Sequence, residues 1–209
     1  MSLSEDRDLA IARAIGALRA GELIVFPTDT VYGIAADAFD VNATARIFEA
    51  KKRPRSLPLP VLVSRPRQAW ALCAVVPPGA AELAAAFWPG ALTMIMQQTA
   101  DLTWDLGDGG GSVGLRMPAH DDLIALLETT GPLAATSANI TGEPTPRTVM
   151  EVRARLGESV GLYLDGGPSP SDTGSTIVDL RGATPLVVRE GPIPFEEIER
   201  VAGVPVARG

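Results

Sequence analysis

The chain's only two lysines are neighbours, Lys51 and Lys52, and Arg53 follows them. Arg46, Arg55, Arg65 and Arg67 lie close by, so seven basic residues and one acid, Glu49, fall between Val41 and Trp70. The whole chain has a formal net charge of -7. A helix end attracts a cation or two to its C-terminal dipole, which accounts for part of this excess. The remainder suits a polyphosphate, with arginine supplying planar forks and lysine a point charge. An RNA-contact patch is the other partner such a stretch fits. General nucleic-acid binding needs a basic face, which an acidic chain does not offer, so any anion site has to be local.

Hydroxyls and further arginines recur where strands end. Pro27-Thr28-Asp29-Thr30 follows an apolar run, and Ser112 to Pro118 places Arg116 near a strand end. Ala135-Thr136-Ser137-Ala138-Asn139 leaves a strand into a turn, and Gly174-Ser175-Thr176 begins one. Such groups line binding sites in α/β proteins, although hydroxyls also cap turns. Other chemistries are excluded by inventory. A Ser-His-Asp triad would have to use the single histidine, His120, and no zinc site of several His or Cys ligands can be assembled. His120 reads as a helix-start residue and Cys73, the one cysteine, as a core residue. No Gly-x-x-x-x-Gly-Lys-Ser/Thr run is present.

The elements that must position these groups follow from pattern and punctuation. Ser2 and Glu5 form a capping box opening a helix through Ile11, Ile15 and Leu18, which Gly21 stops. Leu23–Phe26 is a buried strand, Asn42 to about Lys52 a helix ended by Pro54, and Leu59–Val63 a strand. Pro58 and Pro60 give that strand either an edge position or a late start. Helices are expected over 77–87, 121–130, 148–156 and 195–201, and strands over 91–97, 113–117, 132–136, 160–164, 175–180 and 185–188. The glycine-rich 105–112 and the Pro/Ser/Gly-rich 168–174 are loops, the latter a candidate to close over a ligand. The expectation is one domain, 1–209, of mixed α/β class: an open mixed β-sheet flanked by helices. With 46% apolar residues a sizeable core is within reach. No disulfide framework, secretory signal or bilayer-spanning run is evident, so a cytoplasmic location is expected.

Taken together and in order, eight segments resemble the YrdC-like family of threonylcarbamoyl-AMP synthases. They are PTDTVYG (Pro27 to Gly33), FEAKKRP (Phe48 to Pro54), PLPVLV (Pro58 to Val63), WPGALT (Trp88 to Thr93), SVGLRMP (Ser112 to Pro118), ATSANITG (Ala135 to Gly142), GSTIVD (Gly174 to Asp179) and VREG (Val188 to Gly191). The resemblance implies a twisted open mixed sheet around a positively charged cavity. It also implies a reaction: L-threonine, bicarbonate or CO2, and ATP with Mg²⁺ give threonylcarbamoyl-AMP and pyrophosphate. The product feeds N6-threonylcarbamoyladenosine formation at position 37 of tRNA, completed by separate transfer proteins.

Carried over by residue, the resemblance puts Thr30, Arg116, Ala135 and Ser175 on threonine. It puts Lys51 and Arg53 on the ATP phosphates as the catalytic charges. Ser112, Ser137, Asn139, Thr145 and Arg189 fall at or beside nucleotide contacts. Leu57 and Leu62 depart from the family pattern, standing where many relatives have a polar residue and a histidine. The absence of a linker and second domain after Arg189 points to the short, single-domain form. The rival readings are a same-fold paralogue that binds RNA or regulates without this activity, and an enzyme adenylating carbamate from carbamoyl phosphate.

Overall fold

The computed structural model describes all 209 residues. In chain order the elements are α1 (Arg7–Arg19), β1 (Ile24–Phe26), β2 (Gly33–Asp37), α2 (Val41–Lys51), β3 (Val61–Leu62), α3 (Pro66–Ala71), α4 (Ala80–Phe87) and β4 (Leu92–Gln97). Then come β5 (Ser112–Arg116), α5 (Asp121–Thr130), β6 (Leu133–Ser137), α6 (Val149–Leu156), β7 (Leu162–Tyr163), β8 (Thr176–Asp179), β9 (Leu186–Arg189), α7 (Phe195–Ala202) and β10 (Ala207–Arg208). All ten strands join one sheet in the order β10-β9-β8-β4-β5-β3-β6-β2-β1-β7. Parallel and antiparallel pairings mix, as expected for this class.

The two faces of the sheet are covered unequally. Strand residues alternate between faces, and one set, including Val61, Met94, Met96, Leu115 and Val178, joins a core cluster of 38 residues with α2, α4, α6 and α7. The other face carries only a 14-residue cluster, in which α1 and α5 cover Ile24, Phe26, Ala35, Leu62, Leu133 and Ala135. The β5-β4-β8-β9 half of that face has no helix over it. This imbalance creates the concave surface on which the site is built.

Local details correct several expectations. Helix α1 begins at Arg7, capped by Asp6, whose carboxylate accepts from the Leu9 amide at 3.1 Å. Ser2 and Glu5 do not form a capping box, because the first residues pair instead with the chain beside β7: Leu3 N donates to Asp165 O and Asp165 N to Met1 O. Helix α2 stops at Lys51 rather than at Pro54, because Lys52 takes a left-handed conformation with φ of 49°. Strand β3 starts late and is central, paired with β5 on one side and β6 on the other. Its edge alternative is thus ruled out; the two prolines shorten its ladder without moving it outward. β2, α3 and β10 were not anticipated.

Gly33 is required by close packing. It faces Phe26 across β1–β2, and a Cβ there would lie 2.7 Å from the Phe26 ring. Gly33→Ala is expected to lower stability by about 1–3 kcal/mol through overpacking against that ring. A urea midpoint unchanged from the parent would contradict that.

Candidate active site

A cavity of about 300 Å³ opens on this less covered face of the sheet, reaching from β8 across to β6. Its floor is one face of successive strands: Ser112, Gly114 and Arg116 of β5, Thr93 and Ile95 of β4, Leu62 of β3, and Ala135 and Ser137 of β6. Thr30 enters from the β1–β2 turn, Arg53 from the end of α2, and Arg189 from β9. Three arginines and no carboxylate line it.

Each arginine is oriented by backbone. Arg53 donates from Nε to Leu57 O at 2.7 Å and from Nη2 to Pro58 O at 2.9 Å, leaving the other N–H groups of its fork without a protein acceptor. Arg189 donates from Nε and Nη2 to Ser175 O at 3.0 and 2.7 Å. Arg116 is held on three sides: Nε to Gly90 O at 3.0 Å, Nη1 to Thr30 Oγ1 at 3.1 Å, and Nη2 to Asp29 Oδ1 at 2.7 Å. Burial lowers the pKa of all three guanidiniums, and neighbouring charges add to it: Arg189 acts on Arg53, and Arg116 on Arg189. Only Arg116 has a counter-charge, Asp29, which works against its shift. An anion entering this set would offset the mutual repulsion of the guanidiniums.

The three consecutive basic residues go to three places. The left-handed turn at Lys52 costs about 1–2 kcal/mol for a residue with a Cβ, and it splits them. Arg53 reaches the cavity, while Lys52 is exposed in a separate groove shared with Arg46, Glu49 and Arg155. Lys51 is 1% exposed. Its Nζ donates to the Ser137 carbonyl at 2.5 Å and to the Asn139 carbonyl, with Asn139 Oδ1 at 3.5 Å. Burial, and then the charge of Arg53, push its pKa down to about 7.

Nine of the expected site residues line the cavity: Thr30, Arg53, Ser112, Arg116, Ala135, Ser137, Thr145, Ser175 and Arg189. Lys51 and Asn139 are not among the lining residues. They stand behind the wall and brace it. Asn139 accepts from Ser137 Oγ at 2.5 Å and donates from Nδ2 to Ile140 O and Glu143 O at 2.9 and 2.8 Å. Leu62 lines the cavity, while Leu57 is 45% exposed.

Sequence reasoning named no role for Asp29 or Thr93. Thr93 pairs its hydroxyl with that of Ser175 at 2.8 Å. Both residues sit inside recognised motifs, and the period-two alternation of β4 was the available signal for Thr93. The first half of loop 168–174 is pinned, with Ser169 Oγ accepting from Tyr32 N and Ser171 N donating to Thr30 O. His120 opens α5 away from the cavity. Cys73 is buried, with its pKa raised to about 11 by that burial. The arrangement therefore offers fixed positive charge and hydroxyls to anionic ligands, and no activated side-chain nucleophile.

No set of three or more His, Cys, Asp or Glu side chains is placed to hold a metal. No helix is long and apolar enough to cross a membrane.

Comparison with known proteins agrees with this site. A family model named for Sua5, YciO and YrdC, and described as telomere recombination, matches residues 16–191. A Mycobacterium tuberculosis protein, provisionally named a threonylcarbamoyl-AMP synthase, is 51% identical over 203 residues, 97% of this chain and 94% of its own length. The threonylcarbamoyl-AMP synthase of Pyrococcus abyssi is 40% identical over 191 residues, 91% of this chain and 56% of its own length. The crystal structure of Pyrococcus abyssi Sua5 complexed with L-threonine superposes with a TM-score of 0.88 at 39% identity, covering 94% of this chain and 58% of that one. Fold, motifs and relatives converge: the chain belongs to the Sua5/YciO/YrdC family.

Proposed function

We propose that this chain is an L-threonylcarbamoyladenylate synthase, an adenylyl-transferring enzyme that condenses L-threonine, CO2 or bicarbonate, and ATP. The observation that carries the reading is the convergence of nine expected site residues, three of them arginines, on one cavity without a carboxylate. The names of the relatives and the threonine-bound Sua5 structure support the same substrates.

In this reading Arg116 takes the threonine carboxylate, with Thr30, Ala135 and Ser175 around the rest of the amino acid. Arg53 and Arg189 face the phosphates, and Ser112, Ser137 and Thr145 the rest of the nucleotide. Lys51 and Asn139 support the Ser137 turn, Lys51 adding its charge from behind. The threonine amine captures CO2 as a carbamate. A carbamate oxygen then attacks the α-phosphorus of ATP, and pyrophosphate leaves. No protein nucleophile is needed; the protein juxtaposes two anions and stabilises the charge that shifts to the leaving group. No carboxylate lines the cavity, so Mg²⁺ is assigned to the ATP substrate, whose phosphates would carry it, and no step runs through a resident metal. The product is passed to separate tRNA-modifying proteins, consistent with a cytoplasmic enzyme.

The test is pyrophosphate release from ATP that requires both L-threonine and bicarbonate. Arg53→Ala is expected to lower kcat/KM by about 10²–10³, the loss typical of one charge donor. Release that is indifferent to threonine would sink the reading, and carbamoyl phosphate replacing threonine would favour the carbamoyl-transferring rival.

A further inference from the structure

Each hydroxyl lining the cavity has one proton to place. Most are spent on the protein. Thr28 Oγ1 donates to Val31 O at 2.7 Å, so the 3.0 Å contact between Thr28 and Thr30 takes its proton from Thr30. Ser112 Oγ donates to Gly109 O at 2.6 Å, and Ser137 Oγ to Asn139 Oδ1 at 2.5 Å. Thr136 and Thr145 are partly exposed, and solvent takes theirs. Thr93 and Ser175 differ. Both are 5% exposed, and their hydroxyls meet each other at 2.8 Å. The other neighbour of Ser175 Oγ is Arg189 Nη2 at 3.5 Å, itself a donor. The pair thus has two protons and one bond between them. One O–H is left over, buried and without a protein acceptor, and it calls for an acceptor on the ligand.

The place of the pair says which acceptor. Met94 of β4 faces Leu115 of β5, and the next residues outward on these antiparallel strands are Thr93 and Arg116. Ser175 immediately precedes β8 and holds Arg189 of β9 through its carbonyl. Because the sheet runs β9-β8-β4-β5, the pair stands between Arg189 and Arg116 on the cavity face. Under the proposed function Arg116 takes the amino-acid carboxylate and Arg189 faces the phosphates. The group of the reaction that lies between a carboxylate and the α-phosphate is the carbamate.

We propose that Thr93 is a positioning residue for the carbamate: it donates to Ser175 Oγ, and Ser175 gives the remaining O–H to a carbamate oxygen. Ser175 is the outward donor because its oxygen receives Thr93 and lies beside the Arg189 guanidinium, and a hydroxyl polarised in this way donates more strongly. No proton is transferred. The bond stabilises the carbamate charge against loss of CO2 and leaves the other carbamate oxygen to attack the α-phosphorus. The inference rests on the synthase reading.

Pyrophosphate release is measured against bicarbonate, at saturating ATP and L-threonine, for the parent, Ser175→Ala, Thr93→Val, Thr93→Ser and the Ser175→Ala/Thr93→Val double variant. Ser175→Ala is expected to lower kcat/KM for bicarbonate by about 10–10²-fold, the range of one hydrogen bond to a charged group, and the isosteric Thr93→Val by about 2–10-fold. On the Ser175→Ala background Thr93→Val should cost nothing further, since it acts only through Ser175. Thr93→Ser keeps the donor and should restore the parent value. Calorimetric Kd for L-threonine in CO2-depleted buffer is expected to stay within about threefold in each, because the O–H meets a charged acceptor only once the carbamate exists. Losses that multiply in the double variant, or a Thr93→Val enzyme equal to the parent, overturn the relay. A threonine Kd that rises as far as the bicarbonate effect would give the O–H to the carboxylate and overturn the carbamate assignment. A parent that releases no pyrophosphate with threonine and bicarbonate overturns the synthase reading itself, and this proposal with it.

Discussion

Arg116→Ala is expected to lower kcat/KM for L-threonine by about 10²–10³ while leaving the Kd for ATP within about twofold. The magnitude is that of a charged donor lost from a desolvated, prearranged site. The selectivity follows from position. Arg116 sits at the end of β5, directed by Gly90, Thr30 and Asp29, and is assigned to the amino acid, whereas Arg53 at the end of α2 is assigned to the phosphates. The same substitution carries a stability cost that must be separated from the functional one. Arg116 and Asp29 have side chains only 10% and 15% exposed, and removing the arginine strands the carboxylate. Breaking such a pair typically costs about 3–5 kcal/mol. Asp29→Asn added to Arg116→Ala removes the stranded charge, so part of the stability is expected to return. Threonine turnover is not. Recovery of both together would mean that Arg116 serves folding alone, and equal loss of ATP and threonine binding in the double variant would say the same.

The sheet and the site were legible to different depths. Helix α5 and strand β4 follow directly from capping, breaker and alternation signals, because there local preference and tertiary demand agree. Strand β2 was passed over because Gly33-Ile-Ala-Ala-Asp has little of the β-branched and aromatic character that marks a strand. It is a strand because β1 and β6 flank it and four of its five residues are fully buried. Helix α3 is six residues long, and β10 is a two-residue parallel extension of β9, both below what periodicity can detect.

Ser112, Arg116, Ala135 and Ser137 were legible as motifs because they occupy alternate positions on their strands, which places them on one face. The basic stretch was the harder case. In sequence Lys51, Lys52 and Arg53 are equivalent; in space a single left-handed residue sends them to a buried turn, to solvent and to the cavity. A lysine in that conformation carries no sequence signal, since glycine or asparagine ordinarily fills the role. Arg46 and Arg55 also leave the anion site. Arg46 Nη1 bonds Gly21 O at 2.9 Å, and Arg55 pairs with Asp105.

Lys51 leads to the second large effect, which is one of pH. Its folded pKa of about 7 lies below the ordinary 10.5, with burial the first cause and the Arg53 charge the second. For a base depressed in this way the folded state binds fewer protons than the unfolded chain between about 7 and 10.5. The penalty of burying the ammonium is thus fully present below about 7, and stability rises as pH climbs through that window. Nucleotide binding is expected to run in the opposite sense. A nucleotide bound over Ser137, whose carbonyl Lys51 already holds, brings the negative charge of its phosphates toward the amine, favours the protonated form and raises its pKa. Binding should then take up close to one proton above pH 7, and ATP affinity should fall by up to tenfold per pH unit until the bound-state pKa is reached.

Calorimetry in buffers of different ionisation enthalpy measures the uptake directly. Lys51→Met is expected to abolish it, to flatten the pH slope, and to weaken ATP by about 10²–10³ at pH 6.5, where the parent lysine is charged. Arg53→Ala supplies the check on cause. With the neighbouring charge gone, the Lys51 pKa rises and the onset of proton uptake moves to higher pH. A slope that persists in Lys51→Met, or an onset that stays put in Arg53→Ala, would take the titrating charge away from Lys51.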